Sequence, residues 1–275
     1  MTYKKRVKEK SMGRLNCEIL CGIHPVLEAV KAERRLFFKI FVSRQHSGRI
    51  IEIVDFAKNH DIAVEYTSDE QLEEICLGVK HQGVAAEVGR YPLGKASDIF
   101  KGKINKTHTA GYGSEEEEIL ESSKKFFVIL EGLQDPHNLG AIIRTAICAG
   151  ADHIVLPKDR SVHPSPAVSR ASAGAMEHAD ISIVTNIAMF VRELKKNGVW
   201  IAGLDAGGAI SIFDADFSGD IALVVGGEHT GIRPLVKKEC DFIVSLPMVK
   251  GVTSLNASVA SGIAMYEILR QRIFK

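Results

Sequence analysis

The chain has 275 residues, 45% of them hydrophobic, enough for one large folded unit or two ordinary ones with real cores. Its 35 Lys and Arg against 34 Asp and Glu leave a formal net charge of +1, which excludes a molecule that meets polyanions as a uniform polycation. Any nucleic-acid contact must come from local clusters of cations.

Residues 1–16, opening MTYKKRVKEKSMGR, form a basic tail without the apolar run of a secretory signal, and read either as a solvated end or as an arm touching phosphates. From 17 to 90 helix and strand patterns alternate in a compact α/β module. A helix is expected over His24–Lys31, opening at Pro25, then a strand over FFKIFV (37–42). Helical spacing returns over 47–60, with strands at IAVEY (62–66) and GVAAEV (83–88). Residues 91–124 mix Gly, Ser and Thr with the acidic run Glu115–Glu118 and read as a linker with one short helix at most.

From 125 to 275 short apolar runs alternate with helical stretches: FFVIL (126–130), HIVLP (153–157), ISIV (181–184), VWIAG (199–203), IALVV (221–225) and DFIVSLP (241–247). Such runs predict a parallel sheet covered on both faces. No uncharged run is long enough to span a membrane. The cysteines, Cys17, Cys21, Cys76, Cys148 and Cys240, form no Cys-x-x-Cys pair, which suits a reduced, cytoplasmic protein. Cys17, Cys21 and His24 have no second cluster to complete a tetrahedral set, so no metal is expected.

Ligands of open α/β sheets collect beyond the carboxyl ends of strands, and three of these ends carry unusual residues. In LEGLQDPHNLG, Asn138 stands where an N-cap is expected for a helix over Leu139–Ala149 ended by Gly150. Arg144 lies inside that apolar helix, so it either reaches the surface or points into a polar site. In VVGGEHTG, Gly226 and Gly227 permit a close backbone approach, and Glu228 could hold an Arg or accept hydrogen bonds from a ligand. In SLPMVKGVTSLN, Ser254 or Asn256 could cap a helix over Ala257–Arg272. If they meet in space, these ends form a pocket with apolar walls and a few polar groups.

In this order the segments resemble the signatures of the SpoU/TrmH (SPOUT) family of RNA ribose 2′-O-methyltransferases. NLGAIIR (138–144), VVGGEHTG (224–231) and LPMVKGVTSLNAS (246–258) carry the likeness, while GIHPVLEAV (22–30) and HQGVAAEV (81–88) resemble that family's substrate-binding domain. PKDRS (157–161) adds a likeness to the members that methylate a guanosine ribose of 23S rRNA. The resemblance implies an N-terminal L30e-like RNA-binding domain and a C-terminal domain tied in a deep trefoil knot, which topology rules would never suggest.

It also implies S-adenosylmethionine as cofactor, held by Gly226, Gly227, Leu246, Met248 and Leu255, and a homodimer formed through the knotted domain. Asn138, Arg144, Glu228, Ser254 and Asn256 become the catalytic set. Arg144 would contact the ribose and its phosphate and stabilise the developing alkoxide. Glu228 would orient it, and the other three would fix the hydroxyl, the Arg and the loops. Arg34, Arg35, Lys39, Arg44 and Arg49 would hold RNA phosphates or serve as plain surface charge. His229-Thr230 and Lys250-Gly251 depart from the usual pattern at the pocket rim. Competing readings are a tRNA or antibiotic-resistance ribose methyltransferase and a non-catalytic ribosome-assembly factor. A nicotinamide oxidoreductase is disfavoured because Ala206-Gly207-Gly208 lacks the next glycine of the dinucleotide fingerprint.

Overall fold

The computed structural model describes residues 17–43, 48–100, 124–228, 230–249 and 254–274. The chain divides into two compact units, and the division is not a single cut. The first unit takes residues 164–178 in addition to everything up to Pro92; the second holds 93–163 and 179–275. The basic tail, Arg44 and most of the expected linker lie outside the described residues.

The first unit is built on β1 (Cys17–Cys21), β2 (Phe37–Ser43), β3 (Ala63–Thr67) and β4 (Val84–Gly89), ordered β1-β4-β2-β3. β4 runs antiparallel to both neighbours, and β2 and β3 are parallel. Helices α1 (Ile23–Ala32), α2 (Gly48–Asn59) and α3 (Asp69–Ile75) connect the strands. α1 begins one residue before the expected helix and ends one after it. Leu20, Val26, Phe37, Ile40, Ile53 and Val84 fill the core where strand alternation and helical spacing meet. α3 opens on a capping box in which Ser68 and Gln71 satisfy each other's backbone N–H groups.

Arg35 departs from expectation, because it is buried and does not offer its charge to a phosphate. Its guanidinium meets Glu18 at 2.6 Å and Glu177 at 2.6 and 3.2 Å, donates to the Gly89 carbonyl at 3.1 Å, and lies over the Tyr91 ring. Glu177 belongs to a 3-10 turn, Ala175–His178, that follows α6 (Pro166–Ala171) in the segment counted with this unit. Gly174 precedes the turn with φ +86°, and a Cβ there would stand 2.7 Å from the His24 carbonyl oxygen and the Glu28 side chain. Only glycine fits that approach.

The second unit carries a seven-stranded, all-parallel sheet ordered β7-β6-β5-β10-β8-β11-β9. Its strands are β5 (Phe126–Glu131), β6 (His153–Pro157), β7 (Ile181–Val184), β8 (Trp200–Leu204), β9 (Ile210–Ser211), β10 (Ile221–Gly226) and β11 (Phe242–Ser245). Six lie where apolar runs place them, and β9 is new. The helices are α4 (Ala96–Ile99), α5 (Pro136–Cys148), α7 (Ile187–Lys196), α8 (Pro234–Glu239) and α9 (Ala257–Ile273).

The two faces of the sheet follow from the pleat. Phe127, Ile129, Ala222 and Val224 share a cluster with Ile187, Phe190 and Val191 of α7 and Val236 of α8. The alternate residues, such as Phe126 and Val128, therefore point the other way. On that side Phe126 meets Arg272 of α9, and α9 packs against α5, with Gly262 opposite Thr145. α4 lies within the stretch read as linker, but its Ile99 is buried in this unit's core.

Candidate active site

Parallel pairing brings the carboxyl ends of the central strands side by side: Glu131 of β5 is in register with Gly226 of β10, and Leu204 of β8 with Val225 and with Val244 of β11. The chain leaves β5 toward β6 on one side of the sheet and returns to β10 on the other. That is the switch point at which α/β sheets bind ligands.

α5 begins three residues earlier than the sequence suggests. Asp135 is its N-cap, accepting from His137 N at 2.9 Å, and Pro136 is the first helical residue. Asn138 therefore does not cap the helix, and its carboxamide is free for another task. Its Nδ2 donates to Glu228 Oε1 at 2.7 Å, and its Oδ1 accepts from Asn256 Nδ2 at 3.1 Å. One side chain thus joins all three singled-out segments. Asn256 works in two directions: while Nδ2 reaches Asn138, Oδ1 caps α9 by accepting from Ser258 N at 2.8 Å and Val259 N at 3.4 Å.

Arg144 resolves its own ambiguity by standing exposed on α5, between buried Ile143 and Ala146. Among the described residues it makes no hydrogen bond or ion pair. Glu228 does not orient it here, since that carboxylate holds Asn138 instead. Ser254 and Leu255 are exposed beside Asn256, Leu246 is buried at the end of β11, and Met248 is half-buried.

The close approach at Gly226 and Gly227 is to the chain itself. A Cβ on Gly226 would fall 2.1 Å from Gly231 C, and one on Gly227 would fall 2.5 Å from the Gly132 carbonyl oxygen. Gly231 N closes the turn on Gly227 O at 3.0 Å. Two stretches of backbone cross here with no room for a side chain.

Four partners of this crossing escaped the sequence reading. Glu131 is buried at the end of β5 and accepts from Arg233 N at 3.0 Å and from Arg233 Nε. Asp205, past the end of β8, meets Lys237 of α8 at 3.1 Å. Burial pushes the Asp205 carboxyl up, but the Gly207 N–H and Lys237 outweigh it and leave its pKa below the ordinary value. A carboxylate directly after a buried strand was the signal that singled out Glu228, and Glu131 and Asp205 carry the same signal.

Of the cations nominated for RNA in the first unit, Lys39 pairs with Glu65 at 2.7 Å, Arg34 lies 5.9 Å from the Tyr91 ring centroid, and exposed Arg49 reaches His24 Nε2 at 3.1 Å. Among the described residues no cluster of His, Cys, Asp and Glu forms a metal site, and no helix is long and apolar enough to cross a membrane.

A profile of the SpoU rRNA methylase family matches residues 125–266, and a profile for RNA 2′-O-ribose methyltransferase substrate binding matches residues 19–93. The chain belongs to the SpoU rRNA methylase family. Within it, YacO of Bacillus subtilis, assigned to the TrmH family of tRNA/rRNA methyltransferases, is 38% identical over 255 residues, covering 93% of this chain and 96% of that protein. The 23S rRNA (guanosine-2′-O-)-methyltransferase RlmB of Xylella fastidiosa is 34% identical over 254 residues, covering 92% and 96%. The same fold is seen in the SpoU methyltransferase AviRb of Streptomyces viridochromogenes, solved in complex with AdoMet. It has a TM-score of 0.73, 21% identity, and coverage of 95% of this chain and 93% of that one. The three segments that converge on Asn138 all lie inside the methylase match.

Proposed function

We propose that this chain transfers a methyl group from S-adenosylmethionine to a ribose 2′-hydroxyl of RNA, at a guanosine of 23S rRNA. The observation that carries the reading is the Glu228–Asn138–Asn256 relay, which ties together three strand ends of a family member at the switch point of its sheet. The named activity of the Xylella relative supports the guanosine. In domain terms, the unit of residues up to 92 with 164–178 would bind RNA, and the unit of 93–163 and 179–275 would carry the chemistry.

The site suits the cofactor chemically. Leu246, Met248 and Leu255 offer apolar contact to an adenosine and a thioether chain, the glycine crossing offers backbone groups, and no phosphate cradle is needed. When bound, S-adenosylmethionine supplies an electrophilic methyl on a sulfonium.

Arg144 serves as a donor and a positive charge, not as a base, because a guanidinium offers donors and no acceptor. Its role is charge: it grips the phosphate beside the target ribose and stabilises negative charge growing on O2′. Asn138 and Asn256 hold the hydroxyl in line, Glu228 fixes Asn138, and Ser254 supports the turn into α9. RNA is held elsewhere through Arg34, Lys39 and Arg49, while Arg35 serves the first unit's interior. A reducing cytoplasm suits the free cysteines.

The same argument sets the test. Arg144→Ala is expected to cut turnover by at least about 100-fold, the usual loss when a charge-stabilising donor is removed, with cofactor affinity unchanged. Near-normal turnover would remove Arg144 from the mechanism. Cells lacking the protein should lose one 2′-O-methyl guanosine from 23S rRNA, and an unchanged methylation map would overturn the substrate.

A further inference from the structure

The buried carboxylate of Glu131 has no part in the scheme above, and it is expensive. A charged group in the interior costs several kcal/mol unless its bonds are satisfied, and an apolar residue usually serves stability as well or better. Every other position of β5 is apolar. Glu131 ends that strand beside Gly226, its pleat position facing the same side as Phe127 and Ile129, where α8 packs.

There it takes both the main-chain N–H of Arg233 at 3.0 Å and the side-chain Nε–H. Arg233 is the N-cap residue of α8 and follows directly on Gly231 and Ile232, the backbone against which Gly226 is pressed. The return from β10 to α8 is therefore pinned at both ends. Gly231 N closes on Gly227 O at 3.0 Å, and Arg233 is drawn onto β5. Between the pins stands Glu228, which holds Asn138. Asp205 steadies α8 one turn further on through Lys237 at 3.1 Å.

We propose that Glu131 is a positioning residue which, acting through Arg233, fixes the return from β10 to α8 and with it the cofactor-holding glycine crossing. The inference rests on the reading of that crossing as the S-adenosylmethionine site. Arg233 contributes the guanidinium because its Nε–H lies beside its own main-chain N–H, so one carboxylate engages both. Its side chain is about half exposed, so truncating it does not excavate the core.

The test measures S-adenosylmethionine alone binding to the full chain by calorimetry at 25 °C, with thermal unfolding and binding of a 23S rRNA transcript in parallel. Wild-type protein that fails to bind S-adenosylmethionine would overturn the proposed function itself. If wild type binds, Glu131→Gln and Arg233→Ala are each expected to weaken it by about tenfold or more, in line with loss of a charge-assisted hydrogen bond, and to leave RNA affinity within about twofold. The double variant should lose no more than the worse single, since both remove one link. Arg233→Lys, which restores charge without the Nε–H, should not recover the affinity. Cofactor affinity within about twofold of wild type in Arg233→Ala, or losses that add in the double variant, would overturn the proposal, including when the melting temperature falls. If Glu131→Gln fails to fold, Arg233→Ala decides alone.

Discussion

Asn138 shows why a carboxamide occupies the centre of this site. It donates toward the Glu228 carboxylate and accepts from the Asn256 amide at once, and a carboxamide offers both from one planar group. An aspartate would face Glu228 with a second negative charge, and alanine would leave both partners to water. Those partners are exposed, so water replaces the lost bonds and Asn138→Ala should cost under about 1 kcal/mol of stability. Turnover should fall far more, by at least about 100-fold, because the hydroxyl loses its alignment. Thermal unfolding beside single-turnover methyl transfer checks this, and a variant that keeps its rate would show that the relay is structural. Arg144 and Arg35 make a similar contrast. The same side chain stands exposed on α5 in one place and is buried in the other between two carboxylates.

At the scale of elements, α9 is held to the connection between β9 and β10 by a polar network as well as by packing. Glu267 accepts from Arg270 Nε at 2.8 Å and Nη2 at 2.7 Å, and from Gln271 Nε2 at 2.8 Å. Gln271 in turn donates to the Ala215 carbonyl and accepts from Phe217 N, both at 2.9 Å. Hydrogen bonds from Arg270, opposed by burial and helped by Gln271, hold the Glu267 carboxyl below its ordinary value of 4.5. A carboxyl more acidic folded than unfolded favours folding at neutral pH, and that contribution disappears as pH falls through the folded pKa. Glu267→Gln should therefore lower the melting temperature at pH 7, and the gap to wild type should close as pH falls through the folded-state pKa of Glu267. A gap that persists in acid would assign the effect to packing. Elements of this kind were readable from periodicity, since both strands and amphipathic helices record burial in their spacing. The start of α5 was misread because Asn138 is a good cap by type, whereas Asp135 followed by Pro136 is a better one by position. β9 is too short to show a period. Glu131 and Asp205 carry the strand-end signal that singled out Glu228, but their partners, like the transfer of 164–178 to the first unit, lie far away in the chain, and no local pattern encodes those.

For the whole molecule the decisive quantity is what the described surface leaves uncovered. Val259, Ile263 and Tyr266 are 50%, 37% and 52% exposed, and Leu255, just before α9, is 39% exposed. At 100° per residue the three helical positions fall within an arc of about 60°, while Ala264, Met265 and Ile268 on the same helix are buried against its own unit. Single exposed apolar side chains are ordinary, but an aligned stripe of them marks a surface that another body covers. A second copy is the occupant expected from the sequence resemblance, and the stripe begins beside Asn256, so a partner there would close over the edge of the site. The full chain should therefore scatter light as a dimer at micromolar concentration. Ile263→Lys with Tyr266→Lys should shift it to monomer, since two buried like charges per subunit would face their symmetry mates. Because the stripe adjoins the Asn138 relay, the monomer should also lose turnover while its S-adenosylmethionine affinity changes less than its rate. A wild-type chain that stays monomeric, or a lysine variant that remains dimeric, would show that this face of α9 is not the contact.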